Sequence, residues 1–170
     1  MAETATFRPA TADDVPELHR LVESAYRGDS ARGGWTHEAD LLTTPRTSAE
    51  ELRGAIADPR EVILLAFEGP ELAGCVRLSR VAEDRAYFGL LTVDPARQAG
   101  GLGRAIIAAA EAWAAERWGA RTMALSVVSV RAELIAWYER RGYRLTGETQ
   151  PFPEKVEPPL ILAAMEKPLA

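Results

Sequence analysis

Apolar and polar positions change period along the chain, and each change marks the edge of an element. Thr4 to Arg8 reads as a short strand, and Thr11-Ala12-Asp13-Asp14 then offers a capping box to an amphipathic helix carrying Val15, Leu18, Leu21, Val22 and Ala25 on one face. Pro16 falls in its first turn, where a missing N–H costs nothing. A looser stretch from Arg27 to Arg46 holds Gly28, Gly33 and Gly34 before Trp35-Thr36-His37-Glu38. Thr47 or Ser48 starts a second helix, since each has a glutamate three residues on (Glu50, Glu51), and it ends before Asp58-Pro59. The period then becomes that of strands: Val62 to Phe67, Leu72 to Arg80 and Ala86 to Val93, whose short connections predict an antiparallel meander. A long helix over Leu102 to Trp118 has Leu102, Ile106, Ala109, Ala110 and Trp113 as its inner stripe. Thr122 to Val128 is a strand, Ala132 to Arg141 a helix stopped by Gly142, and Tyr143 to Thr146 and Leu160 to Glu166 are the last strands. Pro151, Pro153, Pro158 and Pro159 lie between those two. Without repeats or a dividing linker, residues 1–170 are expected to form one domain of mixed α/β (α+β) class.

At 170 residues and 18.5 kDa, with 47% hydrophobic and 26% charged residues, the chain has the make-up of a globular domain. A monomer of that mass buries about two thirds of its extended surface, so the core needs no staples. No apolar run approaches a membrane span, and Met1-Ala2-Glu3-Thr4 lacks the basic and apolar regions of a signal peptide, so a cytoplasmic location is expected. The net charge of −5 disfavours nucleic acid and anionic membranes as partners. Cys75 is the single cysteine and His19 and His37 the only histidines, too few soft ligands for a structural metal; none is expected. Between Gly74 and Val76, Cys75 reads as an inert buried thiol.

Candidate chemistry concentrates in Leu91-Thr92-Val93-Asp94-Pro95-Ala96-Arg97-Gln98-Ala99-Gly100-Gly101-Leu102-Gly103-Arg104, where a strand stops and a glycine-rich turn feeds a helix. Gly100, Gly101 and Gly103 let the backbone approach a ligand, and the first N–H groups of the helix point outward with the positive end of its dipole. Arg97 and Arg104 flank the turn with formal charge. The pattern predicts a phosphate site. It is not a P-loop, because no Gly-Lys-Ser/Thr follows, and Gly101-Leu102-Gly103-Arg104-Ala105-Ile106 lacks the third glycine of a dinucleotide fingerprint.

Gln98-Ala99-Gly100-Gly101-Leu102-Gly103 resembles the Q/R-x-x-G-x-G/A motif of the GNAT N-acetyltransferase superfamily, and Leu91-Thr92-Val93-Asp94-Pro95 is similar to that family's fourth strand and exit turn. Leu134 to Tyr143 resembles its later helix, ending Tyr138-Glu139-Arg140-Arg141-Gly142-Tyr143; the opening Phe7-Arg8-Pro9-Ala10 with Asp13-Asp14 looks like its usual start. The resemblance implies a mostly antiparallel mixed sheet flanked by helices and splayed between the fourth and fifth strands. It implies acetyl-CoA as cosubstrate, with the backbone of Leu91, Thr92 and Val93 pairing with the pantetheine arm and the amides of Gln98, Ala99, Gly100, Gly101, Leu102, Gly103 and Arg104 holding the diphosphate. Tyr138 would protonate the departing thiolate, although its place beside Leu134 and Ile135 also suits a core residue. The sequence departs from the family at Arg131, where asparagine is usual, and at Tyr87, where some members carry a carboxylate base. Arg131 is retained as a cofactor contact.

Without that base, a lysine-like amine of pKa about 10.4 is neutral in about one molecule per 2,500 at pH 7, a handicap of about 4.6 kcal/mol; an α-amine near 8 loses about 1.4 kcal/mol. Glu38 is the candidate base, with His37 and Asp40 beside it; capping by Thr36 would explain the same segment as plain structure. The acidic balance suits a small cationic or zwitterionic amine as acceptor. A protein N-terminus or lysine is the alternative, as is an acyl-CoA-binding module that has lost its chemistry, for which Arg131 and Tyr87 would speak. Homodimers are common among proteins this chain resembles, and no apolar stripe in the sequence specifies one.

Overall fold

Seven strands form one sheet in a computed structural model that describes residues 5–26, 47–152 and 159–169. They are Thr6–Pro9 (β1), Glu61–Glu68 (β2), Glu71–Ala82 (β3), Arg85–Val93 (β4), Thr122–Val128 (β5), Arg144–Pro151 (β6) and Ile161–Pro168 (β7). Their order is β1-β2-β3-β4-β5-β7-β6, antiparallel throughout except for the parallel pair β4 and β5. The predicted meander is β2-β3-β4. β7 inserts between β5 and β6, and β6 runs on to Pro151, well past the Thr146 where the apolar alternation gives out. As an edge strand exposed along its length it carries no alternation to read.

The helices are Val15–Tyr26 (α1), Ala49–Ala57 (α2), Leu102–Trp118 (α3) and Ala132–Arg140 (α4). A 3₁₀ turn at Ala12–Asp14 leads into α1, with the Asp14 carboxylate accepting the Thr11 N–H at 2.7 Å. The Arg8 guanidinium binds the same carboxylate at 2.8 and 2.9 Å, and that pairing holds Asp14 well below the usual carboxylate range. Ser48 is the cap of α2, its hydroxyl accepting from the Glu51 N–H at 3.1 Å. Among the described residues no helix is long and apolar enough to cross a membrane, and no His, Cys, Asp and Glu side chains cluster as a metal ion would need.

Each face of the sheet carries its own core. Val15, Leu18, Val22 and Leu52 of α1 and α2 pack on Ile63, Leu65, Cys75 and Leu90, while α3 and α4 pack on Leu64, Val76, Leu78, Phe88, Met123 and Met165. The buried stripe of α3 is Leu102, Gly103, Ile106, Ile107, Ala110 and Ala114, so Ala109 and Trp113 lie at its margin, with Arg117 stacked over the Trp113 ring at 4.6 Å. Small residues make this seat close. A Cβ on Gly74 of β3 would stand 2.6 Å from the Thr92 carbonyl oxygen and 2.7 Å from Ile106 Cδ1. Gly74→Ala is therefore expected to cost about 2 kcal/mol, as overpacking against backbone does, read as a lower urea midpoint at unchanged slope.

β4 contains one residue too many for its partner. Cys75 pairs with Thr92 and Arg77 with Gly89, so Leu90 and Leu91 together oppose Val76. This bulge puts Leu90 at φ +56°, a left-handed conformation that costs a non-glycine residue about 1–2 kcal/mol. The Leu90 carbonyl accepts the Thr92 hydroxyl at 2.8 Å and faces the Cys75 thiol at 3.6 Å, which gives the buried cysteine its structural task. The extra residue shifts the alternation by one. Gly89 and Leu90 consequently share the α1/α2 side of the sheet, and Leu91 and Val93 return to the side of α3.

Candidate active site

β4 and β5 pair only from Arg85↔Thr122 to Tyr87↔Ala124, although β4 continues to Val93 and β5 to Val128. Beyond that point the parallel strands part. β5 remains tied to β7 along its whole length, from Thr122↔Pro168 to Val128↔Leu162, while β4 follows β3 around the bulge. Phe88, the first β4 residue past the pairing, meets Tyr138 and Tyr143 at ring-centroid distances of 5.9 and 5.8 Å. The sheet is thus split along the strand segment that includes Leu91, Thr92 and Val93.

The glycine-rich turn lies at the end of that segment. Asp94 accepts the Ala96 N–H at 3.0 Å and Pro95 occupies the first position, so Pro95–Gly100 winds as a 3₁₀ turn containing Gln98 and Ala99. The connection from β4 to α3 is thus itself helical over Pro95–Gly100. Gly101 then takes φ +79°, and α3 starts at Leu102. Intrahelical bonding begins with the Ala105 N–H to the Gly101 carbonyl at 3.3 Å, which leaves the amides of Leu102, Gly103 and Arg104 as the unsatisfied donors of a helix start. A Cβ added at Gly100 or Gly101 would meet open space, so the approach to these amides is clear.

Of the two flanking arginines, only Arg104 keeps its charge for the turn. Arg97 is drawn to the β2–β3 hairpin, binding Glu68 at 2.7 Å and Glu71, with Asp94 at 3.7 Å. Those hydrogen bonds and charges raise its pKa further. The expectation that Arg97 serves a phosphate gives way to a structural role, clamping the turn to the hairpin.

α4 brings Tyr138 to the split. Its ring is 6% exposed and packs at 5.2 Å from Trp137 and 6.1 Å from Tyr143. The helix closes with the Tyr143 N–H on the Tyr138 carbonyl at 3.2 Å and the Gly142 N–H on that of Glu139 at 3.0 Å, and Gly142 sits at φ +101°. Tyr143 itself is committed elsewhere: its hydroxyl donates to Glu111 at 2.8 Å, and Lys167 binds the same carboxylate at 3.0 Å. Burial, reinforced by the Glu111 charge, raises the Tyr143 pKa far beyond the phenol range, so it holds its proton. Arg131 is the N-cap residue of α4 and, unlike asparagine, makes no side-chain cap. With Val130, Leu134, Trp137 and Arg140 it lines a cleft of about 490 Å³ along that helix. Glu38, His37 and Asp40 lie outside the described residues.

The chain matches the model of the acetyltransferase (GNAT) family over residues 16–143. It belongs to that family. This GNAT protein is accordingly an acetyl-CoA-dependent N-acetyltransferase. Its fold is similar to the ribosomal-protein-S18-alanine N-acetyltransferase of Escherichia coli (TM-score 0.76, 19% identity, 98% of this chain and 95% of that one). An N-acetyltransferase from Staphylococcus aureus Mu50 superposes with TM-score 0.77 at 14% identity, covering 98% of both chains. A spermidine N-acetyltransferase from Vibrio cholerae, solved with CoA and spermine, gives 0.73 at 18% identity over 97% of this chain and 95% of that one. None of the curated proteins compared with the chain matches it by sequence.

On the opposite side of the split, the GNAT sheet presents a polar hollow that sequence reasoning missed. Glu51, Arg77, Ser79, Tyr87, Gly89 and Leu90 line a volume of about 340 Å³, and Tyr87 also borders a second hollow of about 230 Å³ reaching Ser126, Glu148 and Gln150. The Arg77 guanidinium holds Glu61 at 2.7 Å and Glu51 at 3.3 Å, and Ser79 donates to Glu61 at 3.0 Å. Carboxylates therefore reach the neighbourhood of Tyr87 from α2 and β2, though none lies on β4. In the sequence Glu51 reads only as a helix-start residue; that it faces Arg77, 26 positions on, is the only signal, and it is a long-range one.

Proposed function

We propose that this acetyltransferase moves the acetyl group of acetyl-CoA to the primary amine of a small cationic or zwitterionic molecule by direct attack, with no covalent enzyme intermediate. The observation that carries this reading is the left-handed Gly101 turn, opening α3 beside the split between β4 and β5. The fit to the cosubstrate is good in kind: unshielded amides with open space at the glycines suit a diphosphate, and a parting strand pair suits an extended arm. In this reading the amides from Gln98 to Arg104 hold the diphosphate, Leu91, Thr92 and Val93 align the arm, and Arg131 contacts the cofactor from the start of α4. When bound, acetyl-CoA supplies the thioester carbonyl that a neutral amine attacks.

In this reading Tyr138 serves as general acid, a role that the packing of its ring against Phe88 and Trp137 supports. The acceptor lies in the polar hollow around Tyr87, where Glu51, half exposed, offers a carboxylate to an ammonium group. Glu38 remains the proposed base. The hollow's modest volume supports a small amine over a folded protein's terminus.

Incubation with labelled acetyl-CoA and a panel of diamines, amino acids, amino sugars and N-terminal peptides, read by mass spectrometry, tests the assignment. Acetylated small cationic amines are expected. Transfer confined to peptides or proteins would refute the substrate class and leave the cofactor site standing.

A further inference from the structure

The ring of Tyr87 rises from the sheet between two small residues. Its cross-strand partner on β3 is Ser79 and its partner on β5 is Ala124, so no side chain of comparable height stands directly opposite it on either side. Along β4 the neighbours on the same face are Arg85 and Gly89. Arg85 reaches across to Glu166 at 3.0 Å, and Gly89 has no side chain; a Cβ built there would lie 3.7 Å from Tyr87 Cε1, so the ring leans over the glycine. The hollows of about 340 and 230 Å³ open over Ser79 on one side and Ala124 on the other, and Tyr87 is the one residue that lines both. The first carries Glu51 and the Arg77 guanidinium, which Glu61 holds at 2.7 Å. The second ends on Ser126, Glu148 and Gln150. Tyr87 is also the last β4 residue to pair with β5, which sets this partition at the head of the split.

We infer that Tyr87 is a specificity-determining wall that sets the length of the acceptor: an amine seated beside Glu51 carries no more chain than fits on the Ser79 side of the ring. This rests on the reading that the acceptor occupies the hollow beside Glu51, and it adds the residue that bounds it. A tyrosine ring turns on only two torsions, so it yields little to a chain pressed against it. Truncating it joins the two hollows. A longer chain then reaches Ser126, Glu148 and Gln150, which offer hydrogen bonds to a hydroxyl or ammonium terminus and none to a methyl group.

Steady-state kinetics with acetyl-CoA and homologous series of linear monoamines, amino alcohols and diamines tests the wall in wild type, Tyr87→Phe, Tyr87→Leu and Tyr87→Ala. Wild type is expected to pass its optimum at a short member and to lose about tenfold in kcat/KM at longer ones, the low end of discrimination by one methylene. Tyr87→Phe keeps the ring and the wild-type optimum. Tyr87→Leu moves the optimum to longer members and Tyr87→Ala further still, with about a tenfold gain for long diamines and amino alcohols that long monoamines do not share. The gain falls on KM, because the ring is a boundary of the binding site and not a party to the chemistry. Urea denaturation confirms that each variant is folded; should Tyr87→Ala not fold, Tyr87→Leu decides. An unmoved optimum in the folded variants, or a wild type without one, overturns the wall while the small-amine reading stands. If wild type acetylates no member of any series, the small-amine reading falls and the wall with it.

Discussion

Gly101→Val is expected to weaken binding of CoA about a hundredfold, whereas Gly119→Ala, at the other end of the same helix, leaves it unchanged. Both glycines are left-handed, at φ +79° and +64°, and both have open space where a Cβ would go. Each substitution therefore carries a conformational penalty and no clash, of order 1–2 kcal/mol, with the β-branched residue at the upper end. At Gly119 that penalty is simply lost stability. At Gly101 the strain can relax by rotating the peptide units that aim the amides of Leu102, Gly103 and Arg104, and each hydrogen bond to a charged group so lost costs about 1.5–3 kcal/mol. One to two such bonds amount to about one to three powers of ten in Kd. Calorimetry gives the affinity and urea denaturation the stability. If Gly101→Val binds CoA within threefold of wild type, the turn does not hold the diphosphate.

The turn was legible because glycine reports backbone rather than side-chain requirements: three in four residues, after a strand and before a helix, leave little else to propose. Arg97 shows the opposite case. Its charge is visible in the sequence, but its partners Glu68 and Glu71 lie 29 and 26 residues earlier and reach it only because the β2–β3 hairpin folds back beside the turn. Leu90 illustrates a second limit. Leucine gives no sign of a positive φ, so the β4 bulge, which sets the phase of Leu91 and Val93 beside the split, comes from the register with β3 and from the Thr92 hydroxyl that holds the Leu90 carbonyl. The meander, α3 and α4 followed from periodicity, whereas the insertion of β7 between β5 and β6 is a long-range pairing that no local pattern encodes. Glu51 was hidden by having a sufficient local explanation as a first-turn residue of α2.

Tyr138→Phe is expected to lower kcat about a hundredfold while leaving the KM for acetyl-CoA and the urea midpoint nearly unchanged. The packing of the ring against Phe88, Trp137 and Tyr143 needs no hydroxyl, so the substitution removes one proton donor and little else. A phenol near pKa 10 is a weaker acid than a thiol near 8.5, so complete transfer to a free thiolate is uphill by about 2 kcal/mol. As the proposed general acid, the hydroxyl would act while charge is still developing on sulfur, which sets the expected effect at the low end of the 10²–10⁴ that general acids contribute. Tyr143 supplies the contrast. Its proton is committed to Glu111, and Tyr143→Phe should cost about 1 kcal/mol of stability through the Glu111–Lys167 network while sparing kcat. Steady-state kinetics beside denaturation separates the two: a Tyr138→Phe enzyme within threefold of the wild-type kcat would remove Tyr138 from the chemistry and leave it as part of the aromatic packing beside Phe88.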